Sequence, residues 1–254
     1  MAFSDRFYLM IDSDRLYETP FSKELVEDST TMAKRLLKLK LPKGKKAPQS
    51  DRGEYIHQVL DSFSELQRIV ENLEMAEIFL KSYPVSVAWK KKYDQNHYFT
   101  YHYEMWILNA IRLYERLLIL IDSVYWLEID HCDVSYKTIT AHTDLSGTDT
   151  LKVLNKVHAA LSQLQGTKNS VFHRYIYTDD ELSDITQYNF LARNSAGDLK
   201  EQFSRFAKIK MQILYLPKKR KEVENNNKEL LKAADAIMRT LNDQYKTHRD
   251  SLKE

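Results

Sequence analysis

The stretch DRGEYIHQVLDSFSELQRIVENLEMAEIFL, Asp51 to Leu80, decides the fold. Its apolar residues fall at Ile56, Val59, Leu60, Phe63, Leu66, Ile69, Val70, Leu73, Ala76, Phe79 and Leu80. Steps of three and four repeat over the whole stretch, which is the signature of one long amphipathic helix. Asp51 and Glu54 offer a capping-box pair at its start, and Pro84 stops it.

The rest of the chain agrees. With 254 residues it suffices for one large domain or two small ones, and five Gly and five Pro leave room for long uninterrupted helices. A second long helix is expected from about Asn96 to Leu127, with Tyr98, Tyr101, His102, Tyr103, Met105 and Trp106 in its first half. Its second half is apolar on nearly every side, which places it at the centre of the bundle. The aromatic residues read first as core, with a base-stacking platform as the alternative. Arg112, Glu115, Arg116 and Asp122 are expected to pair along the helix at three- and four-residue spacing.

A third helix is expected from Thr148, with Leu151, Leu154, Val157, Leu161 and Leu164 on one face and Gly166 ending it. Thr178 to Glu181 reads as the capping box of another. Gly197 marks a break, and Asp198 caps a helix carrying Leu199, Phe203, Phe206, Ile209, Ile213 and Leu214. Pro217 and the basic run Lys218–Lys221 read as a joint before a last amphipathic helix through Val223, Leu230, Ile237 and Leu241. The expected architecture is an all-α antiparallel bundle over 50–216, an N-terminal arm and basic loop over 1–49, and a joint with a C-terminal helix over 217–254. The arm up to about Leu41 reads as strand or short helix, and Leu41–Gln49 as a solvated lysine loop that could alternatively touch phosphate.

Composition excludes more than it identifies. Net charge is +2, so no general attraction to nucleic acid or anionic membrane follows. The single Cys132 rules out an internal disulfide and fits a reducing compartment. The longest apolar run, Leu117–Ile121, is too short to span a bilayer, and acidic residues stand where a signal peptide needs an apolar core. A cytoplasmic protein is expected. His131, Cys132 and His142 lack the paired spacing of zinc ligands, so no metal site is expected.

Chemistry concentrates in Lys168-Asn169-Ser170-Val171-Phe172-His173-Arg174-Tyr175. On a helix, Asn169 and His173 are four apart and share a face. Lys168 precedes His173 by five positions, about 140° around the axis, and shares a face instead with Phe172 and Tyr175. Joint action by Lys168 and His173 therefore needs an irregular first turn or a second copy of the segment across a two-fold axis.

This pattern resembles the HEPN superfamily, helical nucleotide-binding domains whose hallmark is Arg-Asn-x-x-x-His; here Lys168 stands for the Arg. The resemblance in architecture covers roughly residues 51 to 216, and the specific match is the short motif alone. It implies a dimeric, all-helical endoribonuclease that needs no metal or cofactor, in which the ribose 2′-hydroxyl attacks the adjacent phosphate. It implies proton transfer by His173, charge stabilisation by Lys168, and orientation of His173 or phosphate binding by Asn169. Arg174 would add positive potential for RNA phosphate. Tyr175, by likeness to a toxin branch of the family, would be where a nucleotidyltransferase partner or other antitoxin silences the enzyme. A toxin or antiviral defence role follows from the same likeness. Lys in place of Arg is not a conservative exchange, because the planar fork becomes a mobile point charge. A catalytically silent module binding nucleotide, RNA or a protein is therefore the alternative, and a purely structural interaction protein a third. Arg193-Asn194 has no His within reach and reads as a decoy.

Overall fold

A computed structural model describes residues 14–38, 50–82, 95–159 and 180–253. The fold is an all-α helical bundle, with no strand among the described residues. In chain order the helices are α1 (Asp14–Tyr17), α2 (Pro20–Lys38), α3 (Asp51–Lys81), α4 (Gln95–Tyr125), α5 (Tyr136–Ala141), α6 (149–159), α7 (Asp180–Asn194), α8 (Gly197–Ile209) and α9 (Leu216–Ser251). A π-helical stretch, Lys210–Tyr215, joins α8 to α9. The described residues fall into two compact units, one drawn from Met1–Glu71, Ile111–Ser162 and Leu230–Glu254, the other from Asn72–Ala110 and Gln163–Glu229.

The first unit is built on an aromatic and ionic seam. Val59, Phe63, Leu66 and Val70 of α3 are buried, as are Leu117, Leu118, Leu120, Ile121 and Val124 of α4 and Ile237, Met238, Leu241 and Tyr245 of α9. Each such side chain removed from water contributes about 1.5–3 kcal/mol. The N-terminal arm, read above as strand or short helix, carries the long helix α2, whose Phe21 meets Phe63 and Tyr245 edge to face at 6.1 and 5.6 Å. Arg249 is only 10% exposed and pairs with Glu24 at 2.7 Å, Asp28 at 2.6 Å and Asp250 at 2.8 Å. Tyr245 donates its hydroxyl to Asp28 at 2.9 Å. Burial, then the Asp28 carboxylate, raise the Tyr245 hydroxyl well above its ordinary value, so it stays protonated and donates.

Helix ends explain the connections. Ser50, not Asp51, caps α3: its hydroxyl accepts from the Gly53 amide at 3.1 Å. Asp51 and Glu54 lie in the first turn, where carboxylates favour the helix dipole. At the end of α4, Leu127 N donates to Asp122 O at 3.1 Å, closing the turn with Trp126 at a positive φ of 53°. A tryptophan there carries backbone strain that glycine would avoid. Its ring lies 5.4 Å from Tyr55 and 5.7 Å from His248, a contact that favours the strained turn.

The second unit buries Tyr98, Tyr103 and Trp106 of α4, in line with the core reading, whereas Tyr101, expected with them, is 59% exposed. Trp106 donates to Asn227 at 2.7 Å, and Asn227 donates on to Glu77 at 2.7 Å and to the Leu73 carbonyl at 3.3 Å. Two expectations give way in this region. Asp198 does not cap α8; the cap position is Ala196, without a side-chain bond, and Gly197 supplies the positive φ of 58°. Nor is there a joint at Pro217: helix continues from Gly197 to Ser251, because the wider turns of Lys210–Tyr215 accommodate a proline whose ring would otherwise meet the preceding turn. The basic run is engaged in structure. Lys218 binds Glu181 at 2.6 Å, Lys219 lies 5.2 Å from the Tyr103 ring, and Arg220 donates to the Leu80 carbonyl at the end of α3 at 2.7 Å.

Replacing Arg249 by Met removes the cation from two partly buried carboxylates. Arg249→Met should lower unfolding free energy by about 3 kcal/mol in urea titration. Burial lowers the His248 and His102 imidazoles below their ordinary value of 6.5. The unfolded chain then takes the proton first as pH falls, so stability is complete above 6.5 and declines below it. Melting temperature should fall between about pH 7 and pH 5.5, with a shallower slope for His248→Phe.

Candidate functional site

Lys168, Asn169, His173, Arg174 and Tyr175, the residues singled out by sequence, lie outside the described residues, as do Leu161, Leu164, Gly166 and the Thr178–Asp179 half of the expected capping box. The chain before them is helical over 149–159 and the chain after them is α7, Asp180–Asn194. The expected lysine loop, Leu41–Gln49, also lies outside the described residues.

Near the end of α6 the first unit holds a polar aromatic cluster that sequence reading passed over. The His158 ring stacks on Tyr136 with centroids 3.6 Å apart and planes 4° from parallel. Its Nδ1 lies 2.7 Å from the Tyr114 hydroxyl, and Tyr136 donates to Asn155 at 2.8 Å. Burial, then neighbouring Tyr136, raise the Tyr114 hydroxyl, which keeps its proton. Spacing could not reveal the cluster, because its members come from three helices.

The same unit contains a groove of about 1280 Å³. α3 supplies Glu54, His57, Asp61 and Glu65; α4 supplies Glu115, Arg116 and Ile119; the following loop supplies His131 and Cys132. His57 Nδ1 meets Asp61 at 3.0 Å across one turn, both well exposed. Arg116 donates to Glu65 of α3, so the expected pairing of Arg116 along its own helix gives way to a bond between helices. That geometry follows from burial of the flanking apolar positions, which turns residue 116 toward α3. Asp122 also turns away from its helix: it accepts from the Ile129 amide at 3.3 Å, and burial raises its carboxyl. Ser62, also in the lining, meets Ser123 of α4 at 2.7 Å.

With four carboxylates against one guanidinium, the lining is acidic. Cys132 is exposed at this lining, and its amide donates to Asp130 at 3.0 Å. Among the described residues no three His, Cys, Asp or Glu side chains are grouped to hold a metal ion. No described helix is long and apolar enough to cross a membrane. In comparison with known proteins, no family model matches the chain, and no curated protein or solved structure is significantly similar to it.

The exposure of Cys132 at the groove gives a direct check on its openness. A maleimide should label the folded protein at one site per chain without denaturant, and the melting temperature should hold within about 2 °C.

Proposed function

We propose that this chain is a HEPN-like, metal-independent endoribonuclease, acting in the cytoplasm in a toxin or antiviral defence role. The observation that carries the reading is the spacing Lys168-Asn169-x-x-x-His173 inside an all-α chain, with helix on both sides of the segment. The reaction is an internal transfer. The 2′-oxygen bonds to phosphorus, the bond from phosphorus to the 5′-oxygen breaks, and the products end in a 2′,3′-cyclic phosphate and a 5′-hydroxyl. His173 removes the 2′-hydroxyl proton, a task matched to an imidazole near neutral pH, and the imidazolium so formed returns that proton to the departing 5′-oxygen. Lys168 stabilises the charge that builds on the phosphorane oxygens, and Asn169 holds the imidazole or the phosphate. Arg174 adds positive potential for the RNA backbone. Two copies of the segment line one cleft across a two-fold axis, which answers the offset of about 140° that a helix would put between Lys168 and His173. Tyr175 is the position at which an antitoxin or nucleotidyltransferase partner silences the enzyme.

One observation favours a second reading. Lys168 lacks the planar fork that grips phosphate in two places, and a module that binds RNA or nucleotide without cutting keeps everything else.

The test compares the parent with His173→Ala and Lys168→Arg on RNA in the presence of EDTA. Cleavage to cyclic-phosphate ends should fall at least about 100-fold in the first and rise in the second. Equal RNA loss in all three would sink the ribonuclease reading; binding without loss in any would establish the silent one.

A further inference from the structure

We propose that Phe79, Tyr101 and His102, where the end of α3 meets the start of α4, form a stacking platform for bases of single-stranded RNA. The proposal rests on the RNA reading above and names groups that grip the strand by its bases. Phe79 lies in the last turn of α3, and Tyr98, Tyr101 and His102 lie in the opening turns of α4. Steps of three and four put the last three on one side of their helix, as they put Met75 beside Phe79. The His102 ring is the hub: its centroid lies 4.7 Å from Phe79, 4.4 Å from Tyr98 and 5.2 Å from Tyr101. Tyr98 is buried, and its hydroxyl donates to the Ser82 carbonyl at 3.2 Å, which fixes the hub against the end of α3.

The outward rings are left uncovered. Tyr101 is 59% exposed, Met75 45% and Phe79 39%. The planes of Tyr101 and His102 are 80° apart. A perpendicular pair occupies at most one broad face of either ring, so a face of Tyr101 is left for a third ring. Burial lowers the His102 imidazole, which is therefore uncharged at neutral pH, with one ring nitrogen a donor and the other an acceptor. Among the described residues neither nitrogen is hydrogen-bonded, and neither is sealed from water. A half-buried histidine in a purely structural role spends a nitrogen on a neighbour. This one keeps both for the edge of a base, whose own groups are donors and acceptors.

Size and charge select the occupant. Scaled by the full surface of each residue type, Met75, Phe79 and Tyr101 expose roughly 350 Å², a patch of the extent that is often functional. A protein partner takes about 800 Å² from each side, of which about 450 Å² is apolar, so the patch is small for one. Stacked bases need less, since each uses one face against one ring. A duplex hides its base faces, so the strand is single. The cation beside the rings is Arg220. It is half-buried, donates an N–H to the Leu80 carbonyl one residue on from Phe79, and pairs with no carboxylate among the described residues. Its remaining donors suit a backbone phosphate.

The probe is a short single-stranded RNA, 2′-O-methylated throughout so that no 2′-hydroxyl can attack, with 2-aminopurine at one internal position. Binding by the full chain should quench the 2-aminopurine fluorescence through stacking. Tyr101→Leu and Phe79→Leu should each weaken binding about tenfold and remove most of the quench, with melting temperature held within about 2 °C. Tyr101→Trp should keep both binding and quench. Arg220→Gln should flatten the salt dependence of binding. A parent that does not quench, a Tyr101→Leu protein that binds as the parent does, or a Tyr101→Trp protein no better than Tyr101→Leu overturns the platform. Parent-like salt dependence in Arg220→Gln overturns the phosphate contact. A parent that quenches the methylated strand yet leaves ordinary RNA intact sinks the ribonuclease reading and keeps the platform. Cleavage of ordinary RNA without any quench does the reverse.

Discussion

Burial of α4 on nearly every side is the constraint on which the rest of the fold depends. From Leu117 to Tyr125 every residue but Ile119 is buried, so no polar group along that stretch has water to turn to. The backbone is satisfied within the helix. The side chains must find fixed partners, and those partners set how the neighbouring helices lie against it. Ser123 reaches Ser62, Asp122 holds the amide of Ile129, and Tyr125 donates to Thr150 at 2.9 Å. Displacing either helix by one residue would strand a buried hydroxyl, at a cost of about 1–3 kcal/mol.

Tyrosine does much of this pairing. The chain holds 16 of them, an unusual load for a helical protein, and the structure uses them as large apolar bodies with one polar tip. Tyr55 donates to the Val124 carbonyl at 2.8 Å, Tyr103 to Glu222 at 2.8 Å and Tyr245 to Asp28 at 2.9 Å. The cations are used in the same way. Arg116, Arg220 and Arg249 each tie one helix to another or to a helix end, and Lys219 sits among aromatic rings. A chain whose Lys and Arg barely outnumber its acids, and which engages several of those cations internally, gathers little general positive field among the described residues. Any contact with RNA would then depend on local groups such as Lys168 and Arg174.

The periodicity of apolar residues made α3, α4 and the helical character of the C-terminal half legible, because a hydrophobic stripe at helical spacing has few other outlets. It misjudged Pro217, since proline was weighed as a stop and the relief offered by a wider turn depends on what packs around it. It also assigned Ser50's role to Asp51: the cap is decided by which side chain reaches the third amide, and both residues are able formers of that bond. Pairings such as Arg116 with Glu65, 51 residues apart, leave no local trace at all.

Sequence alone determined that this protein is all-α and placed Lys168, Asn169, His173, Arg174 and Tyr175 within eight residues of one another, because helical period and residue spacing are written locally. Only the tertiary structure decided which apolar stripe stays outside. Leu199, Phe206, Ile213 and Leu214 have the same pattern as a core face, and a π turn that carries Met211 and Tyr215 inward leaves them in water.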